Sequence, residues 1–149
     1  MTETSAAPAR TPWHLWVVGV LSVPWNGFGA YDYAMTQIGG EAYLRAAGMT
    51  DAQLGYFNAM PAWITAAWAI GTWGALAGSA LLLLRSKWAL PVFVASLAAF
   101  LASSVYTFAW SNGAEFAGEQ GWIMYGVILA GCLFFVWYAW AMRKSGVLP

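Results

Sequence analysis

Charge is what this chain has least of. Its 149 residues include six Lys and Arg and six Asp and Glu, 8% charged in all, with zero net charge and a mean hydropathy of +0.60. A soluble domain carries about a quarter charged residues, so there are too few here to coat a globule with a water-facing surface. Zero net charge also leaves no basic field, which argues against nucleic acid as a partner. Histidine is nearly missing. With His14 alone, neither zinc catalysis in its usual His-rich form nor a haem held between paired imidazoles can be built within one chain. The single cysteine, Cys132, excludes an intrachain disulfide and paired-thiol redox chemistry; in an apolar stretch its thiol behaves as a small hydrophobe. No phosphate loop, dinucleotide fingerprint or nucleophile–base pair is present. No catalytic residue, metal ligand or cofactor is expected, and the chain is read as not an enzyme.

Apolar and aromatic residues are abundant instead: 61% of the chain is hydrophobic, 17% is aromatic, and eleven residues are Trp. Spanning a hydrocarbon core of about 30 Å takes about 20 helical residues, and four apolar runs reach that length. They cover about 13–34, 61–84, 88–110 and 122–142. The fold class expected is all-α, an integral membrane four-helix bundle forming a single domain over 13–144. A polar tail over 1–12 precedes it and a short tail over 145–149 follows. The first run is the least uniform, with Pro24, Asn26, Gly27, Gly29 and Asp32 in its outer half. Arg10 is the only basic residue ahead of it and no clean small-x-small site follows, so it is read as a retained span rather than a cleaved signal.

Between the first two runs, Gly39-Gly40 breaks the helix, and Thr50 with Gln53 three residues later matches a capping box that starts a short helix at Asp51. Residues 111–121 read as a polar, acidic loop. Glu115 and Glu119 there would share a face if helical, but they lack further ligands and are read as solvated. With four spans, Arg10, Arg85, Lys87, Arg143 and Lys144 fall on one side, and Arg45 alone on the other. Basic residues near helix ends mark the cytoplasmic face, so both termini are expected inside. Trp13, Trp16, Trp88, Trp137 and Trp140 then flank the inner boundary, and Trp63, Trp110 and Trp122 the outer one, as an aromatic belt. Trp25, Trp68 and Trp73 fall inside the spans, where an indole N–H needs a partner.

Close helix approach in lipid relies on small residues. Gly74-x-x-x-Gly78 in the second run and Ala95, Ala99 and Ser103 in the third are expected to join those two runs as an antiparallel hairpin; a homodimer face is the alternative for the glycine pair. No charge lies at mid-span, which argues against a proton-coupled carrier. Polar and aromatic residues instead gather towards the outer half. Asn26, Asp32, Trp25, Trp68 and Tyr106 are the candidate substrate-binding residues, on the reasoning that aromatic walls with a few convergent polar groups make a small-molecule site. The competing reading of Asp32 is an interfacial acid paired with Arg45.

The stretches WNGFGAYDYAMTQ (Trp25–Gln37), TDAQLGYFNAMPAW (Thr50–Trp63) and AAWAIGTWGALAGSALLLLRSKWALPVF (Ala66–Phe93) resemble a family of small four-span inner-membrane proteins of alphaproteobacteria and related bacteria, often labelled "sugar transporter". The resemblance covers nearly the whole chain after residue 12. It implies four helices in the bacterial inner (cytoplasmic) membrane and carries no binding residue with it. The function expected is therefore a non-enzymatic inner-membrane protein that binds or transports a small neutral solute, such as a sugar, through an outer-half pocket. The alternatives are an accessory or structural subunit of a larger membrane complex or homo-oligomer, and a sensor of a lipid or small ligand. The partners expected are the bilayer, a second copy or larger complex, and a small-molecule ligand. Alternating access needs two repeats moving against each other, so a carrier built from this chain would require at least a dimer.

Overall fold

A computed structural model describes residues 9–149, and they are all-helical, with no strand among the described residues. Residues 1–8 of the expected N-terminal tail lie outside them. The elements are α1 (Trp13–Ala46), α2 (Asp51–Asn58), α3 (Ala62–Leu83), α4 (Ala89–Val105) running into a π-helical turn (Tyr106–Trp110), and α5 (Gly113–Lys144). Three helical segments, Ala62–Leu83, Ala89–Trp110 and Gly113–Lys144, are long and apolar enough to cross a membrane, so this is a membrane protein. At 22 residues and about 1.5 Å per residue, the first two match the thickness of the hydrocarbon core. α1 has 34 residues but is less apolar, because Pro24, Asn26, Asp32 and its glycines dilute it.

Two of the expected boundaries differ from the structure. α1 continues past residue 34 to Ala46, and only Gly40 leaves helical geometry (φ 54°, ψ −139°). Such a left-handed backbone is one that glycine adopts without steric cost. The acidic loop expected over 111–121 is helical from Gly113, with a break at Gly118 (φ 62°). That break lies between Glu115 and Glu119, so they do not share one continuous helical face. The tail over 145–149 follows α5 as expected and is packed: Val147 and Leu148 are buried. The capping box is formed, with Gln53 N–H donating to Thr50 Oγ1 and the Gln53 side chain accepting from Thr50 N–H.

Neighbouring helices pack in chain order: α1 on α3, α3 on α4, α4 on α5. The α3–α4 seam runs along Gly71, Gly74 and Gly78. A Cβ at Gly78 would lie 2.7 Å from the Phe93 ring, and Ser96 Oγ donates to the Gly71 carbonyl at 2.6 Å. Gly74 and Gly78 therefore serve contacts within the chain. On α4 the facing residues are Phe93 and Ser96 rather than the expected Ala95–Ala99–Ser103 stripe, and Ala95 is exposed. α1 lies antiparallel to α3, with Gly19 against Leu83 and Gly29 against Thr72. Within that seam, buried Asn26 donates Nδ2–H to Ser79 Oγ at 2.8 Å.

The two ends of the bundle are chemically distinct. At one end, Arg85 donates to Thr11 Oγ1 at 2.9 Å, His14 Nδ1 and the Tyr138 hydroxyl lie 2.5 Å apart, and Val147 and Leu148 join a core of Leu15, Leu82, Phe93, Phe135 and Tyr138. At the other, the last turn of α1 and the short α2 lie across the helix ends as a cap. Arg45 pairs with Glu41 and Asp51, Asn58 donates to Glu41 at 2.7 Å, Tyr56 and Ser111 hydroxyls lie 2.8 Å apart, and Gln53 donates to the Phe116 carbonyl at 3.2 Å.

Candidate functional site

The cap and the tight end enclose a cavity of about 1050 Å³ between the long helices. Its floor is the stacked pair Phe93 and Phe135, 5.4 Å between centroids. Its roof is Leu44, Met49, Phe57 and Met60 from the cap. The void exists because α1 and α5, first and last in the packing order, converge at the tight end and do not pack along the rest of their length.

Four of the five candidate residues meet at this cavity. Trp25, Asn26, Asp32 and Trp68 line it; Tyr106 does not, and stands against Trp63 at 5.5 Å between ring centroids. Depth along the helix suggested Tyr106, but its direction depends on the π-helical turn, which changes the residue count per turn and left no mark in the sequence that was read. Trp68 is fixed edge-on by Tyr33 at 4.9 Å and Phe57 at 6.2 Å. The other deep tryptophans, Trp25 and Trp73, are about half exposed at the helix surface. Asp32 accepts from the Tyr43 hydroxyl at 2.8 Å and has no ion pair with Arg45, which is engaged by Glu41 and Asp51 instead. The reason is the Gly40 break, which turns Tyr43 back towards α1 and carries Arg45 across to the start of α2. The bond to Asp32 holds the Tyr43 hydroxyl above its ordinary ionisation range, and the bond to Asp51 likewise raises the Arg45 guanidinium.

Most of the wall is apolar, and its hydroxyls are largely committed. Thr72 donates to the Trp68 carbonyl at 3.0 Å, Ser103 to Ala99 at 3.0 Å and Thr107 to Ser103 at 2.9 Å. These are back-bonds to the preceding turn, the usual fate of Ser and Thr in a helix without water. Three others on the wall are not so tied among the described residues: Thr36 Oγ1 is buried without a partner, and the Thr65 and Tyr125 hydroxyls, which also line the cavity, make no hydrogen bond. Thr36 sits one turn beyond Asp32 on α1, and both line the cavity's outer end. Sequence reasoning missed Thr36, although its i, i+4 spacing from Asp32 was there to be read. Cys132 also lies on the wall. No group of three or more metal-ligating side chains occurs among the described residues.

Compared with known proteins, the chain matches no family model, no curated protein and no solved structure.

Proposed function

We propose that this chain is a four-span protein of the bacterial inner membrane, not an enzyme, with both termini cytoplasmic, that binds a small neutral solute in the cavity of its outer half. The observation that carries the reading is the cavity itself. A void of about 1050 Å³ matches the upper range of small-molecule sites, about 300–1,000 Å³, and it brings together residues the sequence had selected for aromatic and polar character. The wall excludes an anion, because among the described residues it carries the Asp32 carboxylate and no Lys or Arg. α1 supports a fourth span because it runs beside α3, from Gly19 at Leu83 to Gly29 at Thr72. The polar groups left to meet a solute are the Asp32 carboxylate and the hydroxyls of Thr36, Thr65 and Tyr125, and each buried polar group left unmatched costs about 1–3 kcal/mol. Membership of the alphaproteobacterial family that the sequence resembles belongs to the same proposal.

Native mass spectrometry of the protein released gently from its own membrane tests this. A defined small molecule should remain on the chain, and Asp32→Asn or Trp68→Ala should weaken its retention while the helices persist. Retention unchanged in both variants overturns the site. A stable assembly with other subunits and no small molecule makes the protein an accessory subunit instead.

A further inference from the structure

The cavity has a mouth, and its position says where the ligand comes from. Of the residues that line the void, those that are also well exposed are Leu21 (63%), Pro24, Trp25 (49%) and Phe28 (69%) on α1 and Met124 (50%) on α5. All five flank the α1–α5 gap, and all are apolar or aromatic. The cap covers the outer end, and the core around Leu15, Phe135 and Tyr138 seals the inner one. The opening is therefore lateral. Gly131, which faces Trp25 across the gap, lies midway along the apolar run 122–142, so at that height the surroundings are hydrocarbon rather than water. Trp25 stands in the gap: a Cβ on Gly131 of α5 would lie 3.5 Å from its indole nitrogen.

Resting on the binding reading above, we infer that the cavity takes its ligand sideways from the bilayer, between α1 and α5 past Trp25, and that the ligand is a neutral amphiphile dissolved in the membrane. Its apolar body lies against the aromatic and aliphatic wall. Its hydrogen-bonding end reaches the Asp32 carboxylate and the Thr36 hydroxyl at the outer end. A water-soluble polyol would face a mouth lined by Leu, Phe, Trp and Met and would be stripped of its hydration there. A membrane-dissolved amphiphile arrives with its apolar body already out of water and has only its small polar end to desolvate. Trp25 is the gate of this passage: a Cβ at Gly131 would just touch its indole edge, so a larger side chain there would fill the gap.

Cys132, the only cysteine of the chain, sits on the cavity wall and serves as a native reporter of the route. The protein is reconstituted in liposomes and treated with phenylmercuric acetate, which partitions into lipid, or with p-chloromercuribenzenesulfonate, which is charged and stays in water. Each forms an S–Hg bond as the thiol proton leaves with the acetate or chloride displaced from mercury, and intact mass gives the rate. The expected result is labelling by the lipid-soluble reagent about tenfold faster or more. Gly131→Phe should slow that labelling about tenfold, the scale of one overpacked contact, and Trp25→Ala should speed it, with helical content unchanged in both. Opposite signs in the two variants separate gating from general loosening of the bundle. Faster labelling by the charged reagent, no labelling by either, or rates indifferent to both variants overturns the lateral route. If a retained molecule is still found by native mass spectrometry, the binding function stands without it; if none is found, the binding function fails whatever the labelling shows.

Discussion

Asn26 and Ser79 form a side-chain hydrogen bond that joins α1 to α3 away from both ends of the bundle. In lipid such a bond is not opposed by water, yet measured values are modest, about 0.6 kcal/mol on average and up to about 1.7. Asn26→Ala removes the donor and leaves the Ser79 hydroxyl its bond to the Ala75 carbonyl, so no new orphan is created. The expected loss is about 1 kcal/mol, read by steric trapping or denaturant unfolding in bicelles. Tyr43 gives the second expectation at this scale. Its hydroxyl donates to Asp32 and ionises above the ordinary 10.0, so the bond's contribution is fully present below that ordinary value. It is lost as pH rises through the higher folded-state value, where the phenolate faces the carboxylate. The cap should therefore loosen only in strong alkali, seen as faster amide exchange in residues 41–58, and Tyr43→Phe should remove that alkaline step. An identical step in the variant would mean the bond does not set the cap's pH response.

At the scale of elements, the α3–α4 seam is the strictest part of the design. A Cβ at Gly78 already overlaps the Phe93 ring at 2.7 Å, so Gly78→Leu must push the helices apart or move an aromatic ring of the core. The expected cost is about 2 kcal/mol or more, with the oligomeric state unchanged until the protein unfolds. A variant that stays folded but loses a dimer would return the glycines to an intermolecular role. The C-terminal tail is a less obvious element. α5 ends with Gly146 left-handed (φ 77°) and Val147 N–H bonded back to the Met142 carbonyl, a Schellman-type reversal that drops Leu148 into the core at 2% exposure. Leu148→Ala should cost about 2–3 kcal/mol, an effect no loose tail would show.

These same elements show what the sequence could and could not disclose. Three apolar helices, the capping box and the Gly40 break were legible because each rests on local chemistry: apolar length, a Thr and Gln three apart, a glycine. The face of α4 that meets α3 was not. Choosing Ser96 over Ala95 requires the rotation of one helix about another, and the small-residue pattern on α4 fits both. The folded-back tail was hidden for a similar reason, since two apolar residues after a glycine say nothing of the pocket that receives them. The site was half legible. Composition and depth selected Trp25, Asn26, Asp32 and Trp68; the turn of the π-helix removed Tyr106, and the partner of Asp32 depended on a break whose direction no local rule supplies.

For the whole molecule, the question is how many times the chain crosses. If only the three most apolar segments spanned, α1 and Arg10 would lie on the outer face, away from Arg85, Lys87, Arg143 and Lys144. The contacts favour four. Arg85 donates to Thr11, and Gly146 lies beside Ala9, so the start of α1 is at the end of the bundle that holds the basic cluster. The opposite end holds Arg45, which is offset by Glu41 and Asp51, and the acids Glu115 and Glu119. That is the asymmetry of basic residues that sets orientation during insertion. Single cysteines placed by Thr11→Cys and Gln120→Cys, each in a Cys132→Ser background, separate the alternatives. In cells with a permeabilised outer membrane, an impermeant maleimide should label the cysteine at 120 and spare the one at 11 until the inner membrane is opened. Labelling at both positions in intact cells would leave α1 outside and reduce the protein to three spans. Labelling at 11 alone would invert the bundle and place the cap, and with it the outer end of the cavity, in the cytoplasm.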